Sequence, residues 1–234
     1  MRQQLHTRLV DLPRLRRAAL RYARHGWSVT PGAVLTGDRY ACDRPGCPTL
    51  ACHPALACWQ ADASTERAQI SQWWRRRPHT VLLATGGPLD VLDVPAYLGL
   101  WVLRLAKAHG QVLGPSRRRL RGPLAVTPTG RWMFLVEPGA RLRPELDGHP
   151  DVLLHGAGSW VPAPPTRLPE GQVRWSIAPN EVEWRLPDPY ALQALIADAL
   201  TAVPTDTPTP PDTAGPADVD ANAASRPVRA TLAA

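Results

Sequence analysis

The feature that most constrains the fold is an alternation of helix-length amphipathic segments with short apolar runs of strand length. Glycine and proline lie between many of these segments, where turns are expected. The helical periodicity predicts helices over 12–25, 65–76, 95–109 and 189–200. The apolar runs predict strands over 27–30, 80–84, 89–94, 124–127, 132–136, 152–154, 159–161 and 172–176. This alternation indicates an α+β (mixed α/β) domain.

The chain divides into a body and a tail by composition. Hydrophobic residues make up 44% of the chain, which is enough for one core in a domain over residues 1–202. Residues 40–60 within that body are predicted to form a Cys-rich loop. After Ala202 the sequence PTDTPTPPDTAGPADVDANAASRP has almost no large apolar residue. Such a segment cannot offset the entropy of ordering, so residues 203–234 are predicted to form a disordered tail.

The chain is basic, with 27 Lys+Arg against 20 Asp+Glu and a formal net charge of +7. Lys107 is the only lysine, so the positive charge comes almost entirely from arginine. The tail is acidic on balance, which makes the body more basic than the whole chain. A basic body is compatible with a polyanionic partner, because neutralising phosphates releases counterions. A solvated basic surface with no partner is the alternative interpretation.

The sequence contains neither a membrane span nor a secretion signal that we can identify. No apolar run reaches 18 residues, and the N-terminus MRQQLHTRLVDLPRLRR lacks an apolar signal core. We therefore expect a cytoplasmic protein without membrane association. In that reducing compartment the four cysteines are expected to be metal ligands or free thiols rather than disulfides.

Four cysteines and one histidine are concentrated in the Cys-rich loop, with the spacing C-x4-C-x4-C-H-x4-C. They are Cys42, Cys47, Cys52, His53 and Cys58. Soft ligands in a loop that cannot form its own hydrophobic core suit a tetrahedral structural zinc ion. We expect Cys42, Cys47 and His53 to be ligands, with Cys52 or Cys58 as the fourth. Small buried thiols without a metal are the alternative.

Several segments, taken in order, resemble the N-terminal domain of bifunctional DNA primase–polymerases. They are ALRYARHGWSVTPG, the Cys-containing loop that ends in CHP, STERAQISQWW, LLATG with LDVLDVPAYLG, TPTGRWMFLV, and GAGSWVPAPPT. The resemblance covers about residues 15–185 and is greatest to short actinobacterial-type members that consist of this domain alone. It implies a primase–polymerase-like sheet, antiparallel or mixed, with flanking helices. It also implies that metal-bound carboxylates join nucleotides to a growing strand.

That chemistry needs two divalent cations about 4 Å apart, held by several carboxylate oxygens. A D-x-D pair on a strand supplies them because residues i and i+2 point to the same face. The family's D-x-D falls on Asp93-Val94-Pro95, so proline replaces the second acid. Asp90 is three residues from Asp93 and is expected on the other face of the strand.

The resemblance departs from the family at two further positions. The family's histidine after the Thr-Pro turn falls on or near Trp132, and its third acid aligns with Leu153. Asp151 lies two residues before Leu153, so it is expected to point to the same face, one pleat further along the strand. Asp93 is thus the one acid left where the family has three. It is a candidate metal ligand and catalytic residue, or else an Asp that caps the following helix.

Arginine and tryptophan supply the candidates for binding without catalysis. Arg131 and Trp132 lie where the family handles nucleotide phosphates. A further loop cluster comprises Arg117, Arg118, Arg119 and Arg121. Tryptophans that could stack on bases are Trp59, Trp73, Trp74, Trp160 and Trp175, although most tryptophans in a fold of this size are core residues.

Three hypotheses follow from these residues. The first is a catalytically degenerate primase–polymerase-like domain that binds single-stranded or primed nucleic acid, or nucleotides, as a binding or regulatory module. The second is an active template-dependent nucleotidyltransferase that uses Asp93 with Mg²⁺ or Mn²⁺. The third is a protein-interaction module with no role on nucleic acid.

Overall fold

The computed structural model describes residues 2–113 and 121–202, with side chains over 11–108 and 121–202. The predicted tail over 203–234 lies outside the described residues. The helices are α1 (Arg2–Arg24), α2 (Trp59–Asp62), α3 (Arg67–Trp73), α4 (Ala96–Leu113) and α5 (Pro189–Ala202). None of these described helices combines the length and the apolar character needed to cross a membrane.

Twelve short strands complete the described elements. They are β1 (Val29–Pro31), β2 (Val34–Thr36), β3 (Arg39–Ala41), β4 (Val81–Ala84), β5 (Asp90–Pro95), β6 (Leu124–Val126), β7 (Arg131–Val136), β8 (Leu153–His155), β9 (Trp160–Pro162), β10 (Arg167–Leu168), β11 (Gly171–Gln172) and β12 (Arg174–Ile177). Helices and antiparallel strands together form a mixed α+β fold, as the sequence predicts.

The larger sheet has five strands in the order β12-β6-β7-β5-β8, and every pair is antiparallel. The predicted hairpin β6–β7 turns at Pro128-Thr129-Gly130, where Gly130 has φ +80° and so adopts a left-handed conformation that favours glycine. The smaller sheet has the order β1-β4-β9. Two further hairpins, β2–β3 and β10–β11, were not predicted because their strands have only two or three residues each.

The five-stranded sheet lies between two hydrophobic cores, because alternate residues of each strand point to opposite faces. Val91 and Met133 face the first core, which contains the buried side of α1, α3 and the smaller sheet. Leu92 and Phe134 face the second core, which is covered by α4 and α5. The sheet therefore presents two chemically separate faces, and a side chain on one face cannot complete a site on the other.

Several predicted boundaries differ from the structure, and two of the differences have a clear physical reason. Helix α1 begins at Arg2, ten residues before the predicted start, and carries Pro13 in its interior. Proline has no N–H to donate and usually ends or bends a helix, yet α1 continues on both sides of Pro13. Pro95 ends β5 instead of opening α4, since it pairs with Arg131 as the last register position of that strand.

Candidate functional site

One row of residues crosses the five-stranded sheet at the position where the sequence predicts catalysis. Asp93 of β5 pairs with Met133 of β7 on one side and with Leu153 of β8 on the other. Pro95 follows on the same face and pairs with Arg131. The aligned positions of the second and third acids therefore do face the same side as Asp93. They carry an imino ring and an isobutyl group, neither of which binds a cation.

Asp93 is held by an ion pair with Arg131. The guanidinium Nε donates to Asp93 Oδ1 at 2.9 Å, and its Nη2 donates to the backbone oxygens of Asp93 and Asp151 at 3.0 and 3.2 Å. The side chains of Asp93 and Arg131 are 12% and 26% exposed, so solvent screens this pair only partly. Arg131 thereby ties β7 to β5 and to the segment that enters β8.

His155 occupies the second oxygen of the same carboxylate. Its Nε2 lies 3.3 Å from Asp93 Oδ2, and its Nδ1 lies 3.1 Å from Ser159 Oγ. The order Ser159–His155–Asp93 resembles a hydrolase triad, in which an unpaired carboxylate stabilises an imidazolium. Here Arg131 already neutralises that carboxylate. Arg131, Asp93, His155 and Ser159 therefore form one connected group of polar side chains.

The carboxylates of the two other nearby acids, Asp90 and Asp151, form hydrogen bonds with groups other than the Asp93, Arg131 and His155 side chains. Asp90 is buried on the opposite face, as strand geometry predicts, and accepts hydrogen bonds from the backbone N–H groups of Gly86 and Gly139 at 3.0 and 2.8 Å. Asp151 accepts a hydrogen bond from the Tyr97 hydroxyl at 3.1 Å. Desolvation, and then that carboxylate, raise the pKa of Tyr97. Within the described residues, no third Asp, Glu, His or Cys joins Asp93 and His155 in a metal-sized group.

The Asp93 cleft, lined among others by Asp93, Thr129, Arg131, His155, Ser159 and Trp160, has a volume of about 410 Å³. It lies where the face of the five-stranded sheet that carries Asp93 meets β9. Thr127 Oγ1 accepts a hydrogen bond from the Arg131 backbone N–H at 3.0 Å and fixes the turn at the rim of the cleft. The cleft is open to solvent. Many of its polar groups form hydrogen bonds with one another.

Trp132 does not belong to the Asp93 cleft, although the sequence placed it with Arg131. It pairs with Val94 and faces the second core, where a Cβ on Gly99 of α4 would lie 2.5 Å from the Trp132 ring. The reason is the strand period of two, which turns neighbouring residues to opposite faces. Met133 is the β7 residue that directly faces Asp93.

The predicted arginine cluster is also separate from Asp93. Arg117, Arg118 and Arg119 lie outside the described residues. Arg121 is exposed and lines a cleft of about 290 Å³ together with Lys107 of α4 and Phe134. Because Phe134 faces the second core, Arg121 lies with the α4 layer and not with the Asp93 cleft.

The candidate stacking tryptophans are dispersed. Trp160 lines the Asp93 cleft, and Trp175 lines a different cleft beside α1. Trp74 is fully buried in the first core, where its indole N–H donates to the backbone oxygen of His79 at 2.8 Å. Trp73 packs against the same core, and Trp59 begins the short helix α2. Of the five, only Trp74 is buried, and the other four are half-buried.

The Cys-rich loop brings three of its predicted ligands together. One donor atom each from Cys42, Cys47 and His53 lies within 4.8 Å of the others, so this cluster could hold a metal ion. His53 is buried and its Nδ1 lies 2.7 Å from the Ala51 backbone oxygen, which places the protonated nitrogen there. Its Nε2 then faces Cys47 Sγ, at 3.4 Å, with a free lone pair.

Local hydrogen bonds favour thiolates at this cluster. Desolvation raises the pKa of Cys42, but hydrogen bonds from the Arg44 backbone and from Cys47 outweigh it and leave the pKa below its ordinary value. The Thr49 backbone N–H lowers the pKa of Cys47, and the Arg44 guanidinium lies 3.2 Å from its Sγ. Thiolate is the form that binds metal, so these contacts suit the predicted chemistry.

The remaining two cysteines are outside this cluster. Burial raises the pKa of Cys52 to about 11, which keeps it a neutral thiol. Cys58 is exposed and immediately precedes α2. The structure therefore supports the three ligands that the sequence favoured and adds neither candidate for the fourth.

The model of the family described as bifunctional DNA primase/polymerase, N-terminal, matches this chain over residues 19–189. That range extends from the last six residues of α1 to the first residue of α5 and includes both sheets, the Cys-rich loop and the Asp93 cleft. No curated protein matches the sequence. The family match covers most of the chain and confirms the resemblance that the ordered motifs indicate.

Proposed function

Because the chain belongs to the bifunctional DNA primase/polymerase N-terminal family, we propose that it is a non-catalytic member that binds nucleic acid or nucleotides. The single observation behind this proposal is the pairing of the Asp93 carboxylate. Both of its carboxylate oxygens already have cationic or imidazole partners, Arg131 and His155. The two other acid positions are Pro95 and Leu153.

The charges around Asp93 explain the proposed loss of catalysis. Two-metal nucleotidyl transfer needs several carboxylate oxygens around two cations. With only Asp93 present, a divalent cation would have to displace the guanidinium of Arg131 and would then find no second carboxylate. Arg131 supplies the positive charge beside Asp93 that a metal ion would otherwise supply. The site is therefore electrically balanced without an ion.

Strand extension tests the loss of catalysis. The full chain is incubated with labelled nucleotides, Mg²⁺ or Mn²⁺, and primed or unprimed template. We expect no extension above that of a matched Asp93→Asn variant. Extension by the native chain that the Asp93→Asn substitution abolishes, while a substitution of the exposed Asp38 to Asn leaves it intact, would overturn the proposal.

Binding of nucleic acid is supported by the family and by the basic body. Its test is the affinity for a labelled single strand at increasing salt concentration. Counterion release predicts a steep fall in affinity as salt rises. Absence of binding at low salt would contradict the proposal and leave the protein-interaction module as the better hypothesis.

We further propose that Cys42, Cys47 and His53 hold a structural zinc ion, with the fourth position filled from outside this cluster. The sulfur and imidazole donors are of the type that zinc prefers, and the loop has little core of its own. Elemental analysis of purified protein should find about one zinc per chain. Cys47→Ser should remove it, because this substitution takes away one of the three clustered donors. Zinc below about 0.2 per chain, without loss during purification, would contradict this proposal.

We also propose a cytoplasmic location. None of the four cysteines forms a disulfide, which is compatible with a reducing compartment. Fractionation of cells that express the full chain is the direct test, and recovery in a membrane or secreted fraction would contradict the proposal.

A further inference from the structure

A second cleft, of about 550 Å³, lies beside α1 and is larger than the Asp93 cleft. We call it the arginine groove and define it by six of the residues that line it: Arg14, Arg17, Arg21, Arg174, Trp175 and Trp184. The remaining described residues that line it are polar or apolar, with no Asp or Glu among them. It therefore combines concentrated positive charge with an aromatic wall.

The arginines of α1 form one stripe. Arg14, Arg17 and Arg21 are spaced by three and four residues, which places them on the same face of the helix, and all three are exposed. No ion pair joins any of them to a described acid. Like charges at this spacing repel one another, so the stripe is unfavourable in the free protein.

The helix dipole explains only part of this stripe. Arg21 lies in the last turn of α1, where a positive charge is favourable. Arg14 and Arg17 lie further from that end and gain little from the dipole. The simplest physical use of their charge is an anionic ligand.

An adjacent open cleft of about 520 Å³ extends the positive surface. It shares Arg17 and Arg21 with the groove and adds Arg16 and Arg24. Nε of Arg16 is buried without a hydrogen-bond partner among the described residues. Arg16 and Arg24 therefore add two further positive charges beside the groove.

Trp175 and Trp184 form a rigid wall in the groove. The ring of Tyr22 meets Trp175 edge-on at 6.2 Å, and the ring of His25 stacks on Trp184 at 3.6 Å. Glu183 and Trp184 both have left-handed backbone conformations, with φ of 55° and 59°. Such conformations are unfavourable for residues other than glycine and often lie near functional sites.

We propose that the arginine groove binds single-stranded nucleic acid, with phosphates on the α1 stripe and a base against Trp175. Neighbouring arginines are about 4.5–6 Å apart along the helix axis, an interval that suits successive phosphates of one strand. An aromatic wall beside a basic track is the usual arrangement in proteins that bind single strands. This inference rests on the proposed function and names the surface that performs it.

The groove is distinct from the Asp93 cleft, although both lie on the same face of the sheet. Trp175 pairs with Ala125, Ala125 with Met133, and Met133 with Asp93, so the two sites are three strands apart. That separation is roughly 14 Å. Each site can therefore be altered without touching the other.

The test measures fluorescence anisotropy of a labelled oligothymidylate of about 16 nucleotides with the full chain at increasing salt concentration. The variant carries Arg14→Gln, Arg17→Gln and Arg21→Gln. We expect its affinity to fall about a hundredfold at low salt, and the slope of log affinity against log salt to shrink by about 2. The matched control carries Arg67→Gln, Arg75→Gln and Arg76→Gln, which remove the same charge from exposed positions outside the groove.

The outcomes separate the two proposals. If the native chain binds and both triple variants lose equal affinity, the groove is not the site, while the proposed function stands. If the native chain does not bind at low salt, the proposed function itself fails. If a polyglutamate peptide competes as well as the oligonucleotide, the groove recognises acidic protein and the inference is overturned. An abasic strand that binds about tenfold more weakly would support stacking on Trp175.

Discussion

The Asp93 cleft and the arginine groove lie on the same face of one sheet but differ in whether their charged side chains have partners of opposite charge. In the cleft, Asp93 is paired with Arg131 and lies beside His155, so charge is balanced within the protein. In the groove, Arg14, Arg17 and Arg21 have no acidic partner among the described residues. A site that neutralises itself contributes to folding stability, whereas a site that leaves its charge unbalanced is ready for a ligand.

This difference separates a family position from a binding surface. The Asp93 cleft lies where the sequence predicts the family's chemistry, and the cation beside Asp93 is the side chain of Arg131. Of the six residues that define the arginine groove, only Arg21 lies in a segment that carries the family resemblance, yet the groove offers more positive charge. Substitutions in the two regions should therefore have effects of different size and even of different sign on the free energy of unfolding.

The largest effect is expected from Asp93→Ala. It leaves Arg131 and His155 partly buried without their carboxylate, which should lower the free energy of unfolding by about 3 kcal/mol. Urea denaturation at neutral pH measures this change. Asp43→Ala is the matched control, since Asp43 pairs with Arg77 at an exposed position, and it should cost less than about 1 kcal/mol. Equal losses in the two variants would show that the Asp93 pair is no more than a surface ion pair.

Arg131→Gln should come next, with a loss of about 2 kcal/mol. The substitution removes the countercharge of Asp93 and the donor to two backbone oxygens, while His155 remains. Urea denaturation is again the measurement, with Arg77→Gln as the exposed control. A stability equal to that of the native chain would indicate that the cleft is not balanced in the way described.

Glu183→Gly should act in the opposite direction at the rim of the arginine groove. Glycine adopts the left-handed conformation without the steric cost that a side chain incurs, so the free energy of unfolding should rise by about 1 kcal/mol. Glu170→Gly, at an exposed position without positive φ, should instead lower it. A loss of stability in the Glu183 variant would mean that its contact with Arg185 outweighs the backbone conformation.

The smallest effect is expected from Arg17→Gln. Removing one of several like charges from α1 should raise the free energy of unfolding by about 0.3 kcal/mol at low salt. Arg143→Gln, which breaks an exposed pair with Glu145, should lower it slightly. The sign of the difference between these variants is the informative result, and high salt should reduce it. A clear loss of stability in the Arg17 variant would show that this arginine has a structural partner.

Most of the fold could be predicted from the sequence where the signal was local. The hairpin β6–β7 follows from apolar runs on both sides of Pro128-Thr129-Gly130, and α5 begins at Pro189 as predicted. The start of α1 and the strands β2, β3, β10 and β11 were not predicted, because short strands and a helix that continues through Pro13 give weak local signals.

The candidate site was predicted only in part. Asp93, Pro95 and Leu153 were assigned correctly to one face, but Trp132 was placed with Arg131 although it faces the second core. His155 was missed, and its position two residues after Leu153 on the same strand was the signal that could have identified it. The α1 stripe was also missed, although its spacing of three and four residues was readable.

The class of fold, the residue types at the aligned acid positions and the three residues that cluster in the Cys-rich loop could all be predicted from the sequence. These depend on residue type and short-range spacing, which a sequence states directly. Only the tertiary structure decided which partners the remaining charges have. Arg131 pairs with Asp93 across 38 positions and His155 across 62, while Arg14 and Arg17 form no ion pair with any acid in the described part of the chain. Pairing between distant residues depends on the folded path of the chain, and that pairing is what separates the balanced cleft from the open groove.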